Sequence, residues 1–282
     1  MLLLALDTST RSASIALCSR DECISEYTWF ANGNHSVDLL GHIQQMTAEC
    51  KISMPQIDAI AVATGPGSFN GVRVALATAK ALSFSLKKPL VGISTLEIIA
   101  SQQQHCRGPV CAILEAGRSE LYAACYLFDE SLDSNGELHY RARQLGDYLL
   151  FLPQQLAAYM QEQSPSWFDS TFQAEDAGLS VPPFLFCGEI SEASRQALHA
   201  ALPEQSHFVR GVFSMRHATT LAALALQRLH EGKEDDPLVL EPLYLRRPSI
   251  TTSTRKRPLL GGTFQRPTGQ PTTEREEGAL RH

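Results

Sequence analysis

The segment 57–86 constrains the fold most strongly, because an apolar run is followed there by a glycine-rich loop and then by a helical pattern. Residues 57–64 read IDAIAVAT, which is typical of a strand buried on both faces. The loop GPGSFNG follows at 65–71, and a helix is predicted over 71–86. A strand, a tight loop and a helix in this order favour an α/β fold.

The rest of the chain supplies strands and helices in two similar halves. In the first half we predict a strand at 2–7, a hairpin at 12–18 and 23–30, a helix at 36–50, a strand at 90–93 and a helix from 95. In the second half we predict strands at 109–116, 119–128, 139–143 and 184–187, and helices at 146–160, 189–201 and 217–230. The repeated order of strand, hairpin and helices is consistent with a duplicated fold.

These halves suggest two lobes and a tail. We assign residues 1–104 to an N-terminal lobe and residues 105–248 to a C-terminal lobe. Residues 163–182 are rich in Ser, Pro and Asp and lack periodicity, so we predict a surface insertion. Residues 249–282 have little to bury and are predicted to be disordered.

The charge and cysteine content bound the class of protein. The chain has 24 Lys and Arg against 30 Asp and Glu, so it lacks the basic surplus of a protein that grips nucleic acid by itself. Seven cysteines without a CxxC pair are expected to be small hydrophobes in a reduced, cytoplasmic protein. Asp7 interrupts the apolar opening MLLLAL, which predicts a buried strand in place of a signal peptide, and no segment is expected to span a membrane.

The glycine loop allows two interpretations. Gly65, Gly67 and Ser68 precede a helix, where backbone N–H groups and the helix dipole can bind an anion. Alternatively the loop is a structural turn, with Ser68 or Asn70 capping the helix. It is not a Walker A loop, because Gly-Val-Arg at 71–73 replaces the required Gly-Lys-Ser/Thr.

The helix at 71–86 is apolar on nearly every side. An ordinary helix on a sheet needs one apolar stripe, so cover from a second direction is expected. That cover could come from this chain or from another protein. The main stripes on this helix and on the helix at 36–50 are formed by Val72, Ala75, Ala79 and Leu82, and by Leu39, Ile43 and Met46.

The end of the first strand offers a possible nucleotide-proximal site. Asp7 and Thr8 stand where actin-like and sugar-kinase-like ATPases carry an Asp that handles metal-bound water. Ser9 occupies the position of a glycine that lets the backbone approach phosphate, which argues against tight nucleotide binding. Asp7 and Thr8 could instead cap the hairpin turn. Arg118, on the second hairpin, could line a cleft between the lobes.

The histidines do not form a plausible metal site. His35 and His42 are two helical turns apart, which is about 10 Å and beyond the reach of one metal ion. His105, Cys106 and Cys111 lack zinc-site spacing. No metal ligand is therefore assigned.

Four segments together resemble the bacterial TsaB family, whose members are accessory proteins of tRNA threonylcarbamoyladenosine biosynthesis. The segments are DTSTRSASIAL at 7–17, TGPGSFNGVRVALATAKAL at 64–82, AGRSELYAA at 116–124 and PLYLRRP at 242–248. The resemblance implies a two-lobed actin-like ATPase fold of the ribonuclease H-like kind, with a mixed sheet and helices in each lobe.

The same resemblance implies a subunit without a catalytic site of its own. Family members pair with the catalytic paralogue TsaD through helices that correspond to 36–50 and 71–86, and they can self-associate through them. The ATPase TsaE joins the pair, and ATP and metal are expected on these partners. The complex transfers a threonylcarbamoyl group to a tRNA adenosine. The implied interface residues are those of the two stripes: Leu39, Ile43, Met46, Val72, Ala75, Ala79 and Leu82.

Two other functions compete with this interpretation. Asp7, Thr8 and the glycine loop also fit a free-standing ATPase or kinase of the actin-like class. A metallopeptidase is disfavoured because the sequence has no HExxH motif.

Overall fold

The residues that the structure describes form two five-stranded mixed sheets, each covered by helices. The computed structural model describes residues 1–31, 35–132, 136–167 and 183–246. The predicted surface insertion at 163–182 falls largely outside these ranges, and the predicted tail at 249–282 falls wholly outside them.

The first half is close to its prediction. Both hairpin strands have the predicted ends, and the apolar run and glycine loop form a strand and the start of a helix. The elements are β1 Leu3–Asp7, β2 Ser12–Cys18, β3 Cys23–Phe30, α1 His35–Glu49, β4 Ala59–Ala63, α2 Phe69–Leu86, β5 Leu90–Ile93 and α3 Thr95–Ser101.

The second half contains a hairpin longer than predicted. Its elements are β6 Val110–Gly117, β7 Glu120–Leu132, β8 Leu138–Phe151, α4 Pro153–Gln163, β9 Phe184–Glu189, α5 Glu192–Ala201, β10 Ser206–Phe208 and α6 Ala218–His230. The helix predicted at 146–160 is wrong over 146–151, because these residues belong to β8, whose last three residues pair with β7 after an irregularity in the ladder. Pro153 at the first helical turn then sets where α4 begins. The short strand β10 was not predicted.

The two sheets repeat one topology. Their strand orders are β3-β2-β1-β4-β5 and β8-β7-β6-β9-β10. The first strand of each half is antiparallel to the hairpin strand that follows it and parallel to the strand on its other side. The duplicated arrangement suggested by the sequence is therefore present, and the mixed sheet with helices in each half is confirmed.

The two faces of the first sheet differ in side-chain size. The β4 strand is buried on both faces, as predicted, with alanines on one face and Ile60 and Val62 on the other. The alanine face packs against small residues of α6, which lets the helix approach the sheet closely. The opposite face packs against α1 and α2.

Two helices, α3 and α6, each pack on the sheet of the other half of the sequence. Helix α3 follows the first sheet in sequence but packs mainly against the second through Leu96, Ile99 and Ala100. Helix α6 comes last and packs against the first sheet. The predicted lobe boundary at residue 104 remains a prediction. In the structure, one helix from each half of the sequence packs on the sheet of the other half.

Paired cysteines on β2 and β3 give a prediction about thiol reactivity. Cys18 is buried and lies across the strand pair from exposed Cys23, and neither is in a disulfide. Burial, assisted by the neighbouring Cys23, raises the pKa of the Cys18 thiol to about 12. Its thiolate fraction at neutral pH falls accordingly, so iodoacetamide should alkylate Cys23 well before Cys18. Time-resolved peptide mass spectrometry measures the two rates, which should converge in denaturant; equal rates in folded protein would contradict the assignment.

Candidate functional site

The glycine loop lies directly against the turn between β1 and β2. The Ser68 N–H donates to the Ser9 carbonyl oxygen at 2.6 Å, and the Thr8 hydroxyl donates to the Gly71 carbonyl oxygen at 2.7 Å. A Cβ on Gly67 would lie 2.1 Å from the Ser9 carbonyl oxygen, which is closer than atoms can approach. A glycine is therefore required at position 67, where the loop backbone contacts the backbone of Ser9.

The loop geometry supports the structural interpretation over the anion site. The Ser68 side chain caps α2 by accepting from the Gly71 N–H at 3.3 Å, as one alternative predicted. The Ser68 N–H, which an anion would use, is already bonded to Ser9. Gly65 adopts a positive φ of 98°, and its carbonyl oxygen accepts from the Thr95 N–H.

Asp7 is buried and satisfied by the chain's own donors. Its side chain is 1% exposed. The Oδ1 atom accepts from the Ser9 N–H at 2.8 Å and from the Ser9 hydroxyl. The Oδ2 atom accepts from Nε of Arg216 at 2.9 Å. Both carboxylate oxygens are therefore engaged within the protein.

Arg216 is the centre of this site, and it is 1% exposed. Besides Asp7, its guanidinium donates from Nη1 to Glu189 Oε1 at 2.5 Å and from Nη2 to the Thr10 hydroxyl at 2.8 Å. Nη2 also donates to the Ser12 carbonyl oxygen at 2.7 Å. Burial opposes the charge of Arg216, but Asp7 and Glu189 favour it, and the pKa lies above its ordinary value.

The residues present do not fit a metal–nucleotide complex of the kind that actin-like ATPases hold. Such a site needs a carboxylate that can face metal-bound water and loop N–H groups that can face phosphate. Asp7 instead faces Arg216, and Ser68 faces Ser9. Within the described residues, no three His, Cys, Asp or Glu side chains are grouped to hold a metal ion.

Arg118 lies on the second sheet, and no contact joins it to the other residues of the predicted anion site among the interactions of the described residues. It is exposed at the turn between β6 and β7, whereas Asp7, Thr8 and Ser9 end the first strand of the other sheet. Arg246, near the C-terminal end of the described residues, forms an ion pair with Glu120 of the hairpin that carries Arg118.

The predicted partner-facing residues on α1 and α2 require correction. Six of the seven are at most 3% exposed; all of these except Val72 belong to the core cluster on the first sheet, and Leu82 is half-buried against the same cluster. The six are Leu39, Ile43, Met46, Val72, Ala75 and Ala79. Their periodic stripe faces the sheet, so they cannot contact another protein in this conformation.

A second apolar stripe on α2 is exposed. We call it the α2 outer stripe and define it as Ala77, Ala81 and Phe84, which follow one another at helical spacing; Val74, one turn before Ala77, is half-buried against the core. Ala77 and Ala81 are exposed, and Phe84 is 78% exposed. Leu40 on the adjacent helix α1 is 52% exposed. The second apolar side of α2 expected from the sequence therefore exists, whereas the residues named for a partner interface lie on the side that faces the sheet.

Arg216 and Glu189 were missed from the sequence. Arg216 lies in a polar stretch before α6, and Glu189 stands at the end of a short apolar run. The available signal was Asp7 itself, since a carboxylate at the end of a buried strand needs a buried partner. Sequence position gives no indication of that partner, which is 209 residues away.

Comparison with protein families gives a match over most of the chain. A family model described as TsaD, tRNA N6-adenosine threonylcarbamoyltransferase, matches residues 29–254. None of the helices in the described ranges is long and apolar enough to cross a membrane.

Curated relatives carry the name expected from the sequence motifs. The chain is 35% identical over 132 residues to the tRNA threonylcarbamoyladenosine biosynthesis protein TsaB of Bacillus subtilis, covering 47% of this chain and 58% of the relative. It is 32% identical over 139 residues to TsaB of Escherichia coli, covering 49% of this chain and 60% of the relative. The chain thus spans about three fifths of these relatives, and the resemblance to the TsaB family is confirmed.

A solved structure shares the fold over nearly its whole length. YeaZ from Pseudomonas aeruginosa superposes with a TM-score of 0.64 at 23% identity, covering 86% of this chain and 99% of that one. The two-lobed, actin-like α/β architecture predicted from the sequence is confirmed.

Proposed function

We propose that this chain, which belongs to the family whose model is described as TsaD, tRNA N6-adenosine threonylcarbamoyltransferase, is a non-catalytic partner subunit in that tRNA modification. It binds the catalytic paralogue TsaD and supports transfer of the threonylcarbamoyl group to tRNA. The names of the TsaB relatives support this role. The protein works in the cytoplasm and meets tRNA through the complex, consistent with its acidic composition.

The α2 outer stripe is the observation that carries the proposal. Contiguous exposed apolar surface marks interaction sites, and Phe84, which is 78% exposed, lies one turn from exposed Ala81 on the same side of α2. Small residues at Ala77 and Ala81 let a second helix approach closely, while Phe84 supplies an aromatic anchor. Leu40 on the neighbouring helix α1 is a further exposed apolar side chain. The same surface can pair two copies of this chain when TsaD is scarce.

ATP and metal act on the partner subunits in this proposal. Asp7 is bonded to Arg216 and the loop N–H of Ser68 is bonded to Ser9, so neither group is available at the usual nucleotide position. TsaE joins as the ATPase of the complex. These assignments leave this chain with a binding role and no chemistry of its own.

The competing function is a free-standing ATPase of the actin-like class. The engaged state of Asp7 argues against it. Isothermal titration of the isolated protein with Mg-ATP distinguishes the two functions. Micromolar binding to the wild-type protein would favour the ATPase, whereas we expect no binding heat.

Co-expression tests the proposed function directly. In cells depleted of their own TsaB, this chain should restore threonylcarbamoyladenosine in tRNA and should co-purify with TsaD. Nucleoside mass spectrometry measures the first outcome and affinity purification the second. Unmodified tRNA in the presence of well-expressed, folded chain would overturn the proposal.

A further inference from the structure

We propose that Arg216 is a built-in cation that takes the position of a metal–nucleotide complex and holds the two sheets together without any ligand. The inference rests on the contacts around Asp7 and Glu189 and does not depend on which partner binds α2. It extends beyond the proposed function because it concerns what replaces the nucleotide in this fold.

The first support is the completeness of the guanidinium network. Every nitrogen of Arg216 donates to an oxygen of this chain: Nε to Asp7, Nη1 to Glu189, and Nη2 to both Thr10 and Ser12. A buried guanidinium is stable only with partners of this number and charge. The position is therefore built for a cation.

The second support is that the network joins the carboxyl end of a strand in one sheet to the carboxyl end of a strand in the other. Asp7 ends β1 in the first sheet, and Glu189 ends β9 in the second. Ligands of open α/β sheets bind beyond the carboxyl ends of the strands. Arg216 precedes α6, which packs on the first sheet, so its bond to Glu189 ties that sheet to the second.

The third support is the chemistry of the oxygen atoms around Arg216. Two carboxylates and the Thr10 hydroxyl converge on the guanidinium, and Thr10 also donates to Glu189 at 2.6 Å. Oxygen donors of this kind suit Mg²⁺ or Mn²⁺. Removal of the guanidinium should therefore leave two carboxylates that a divalent cation can neutralise.

The test compares thermal unfolding of the full-length wild-type protein, Arg216→Met and Arg141→Met, each with and without MnCl2. Methionine keeps apolar bulk but removes the charge. Arg141 is a matched control, since its guanidinium is largely exposed and pairs with Glu231. We expect Arg216→Met to lower Tm by about 10 °C and Mn²⁺ to restore part of that loss. The wild-type protein and Arg141→Met should not respond to Mn²⁺.

Two outcomes overturn the proposal. One is a wild-type Tm that rises with Mn²⁺ or with Mg-ADP, because the position would then accept a ligand beside Arg216. The other is a destabilised Arg216→Met variant that ignores Mn²⁺, because Arg216 would then be an ordinary structural ion pair.

A second variant keeps the proposal testable if Arg216→Met does not fold. Glu189 is 40% exposed, so Glu189→Gln should remain folded while losing the charge that links Arg216 to the second sheet. We expect a lower Tm and faster amide exchange in the β9 end. An unchanged Tm and unchanged exchange would show that the link contributes nothing and would overturn the proposal.

Discussion

Ala81→Arg is expected to weaken binding to TsaD at least about a hundredfold, corresponding to the loss of a binding hot spot. Ala81 is exposed in the middle of the α2 outer stripe, next to Phe84. A long charged side chain there blocks close helix approach and places an unpaired charge in an apolar contact. The free protein should keep its stability, because arginine is a good helix former at an exposed position. Surface plasmon resonance with immobilised TsaD measures the affinity.

The matched control is Ala200→Arg, the same substitution at an exposed position of α5 on the second sheet. It should leave TsaD affinity unchanged. Phe84→Ala should weaken binding in the same direction as Ala81→Arg, and self-association should decline in parallel. Wild-type affinity in both α2 variants, with folding verified by circular dichroism, would place the interface elsewhere.

The sequence predicted α1 and α2 well, but the residues it assigned to a partner are buried within this chain. Helical periodicity shows that a stripe such as Val72, Ala75 and Ala79 exists, yet it does not show which stripe meets the sheet. All three residues are buried, and Ala75 and Ala79 lie in the core on the first sheet. Ala75 has no exposed surface, so Ala75→Arg would unfold the protein and could not test binding.

The predictions that failed depended on contacts distant in sequence. Residues 146–151 were predicted as helix from local pattern, but they belong to β8, which pairs with β7. Arg216 was missed because its partner Asp7 is 209 residues away. By contrast, the hairpin of β2 and β3 was predicted correctly, since alternation and a polar turn are local features.

Two glycines within helices should respond to alanine with opposite signs. Gly71→Ala is expected to destabilise the protein by at least about 3 kcal/mol, because its Cβ would lie 2.0 Å from the Thr8 carbonyl oxygen. A methyl group at Gly41, in α1, would have no atom of the described residues within 4 Å, so Gly41→Ala should stabilise. The gain should be about 0.5–1 kcal/mol, the usual difference in helix propensity.

Urea denaturation of the wild-type protein and both variants measures these changes in the free energy of unfolding. The contrast isolates the cause, because both substitutions add one methyl group to a helical glycine. If Gly71→Ala stabilised the protein as Gly41→Ala does, then α2 would not be held against Thr8 and the loop would be free to open. The arrangement at Asp7 would then lose its neighbouring wall, and an anion could reach the Ser68 N–H after all. Destabilisation confined to Gly71→Ala is the result that the backbone contact requires.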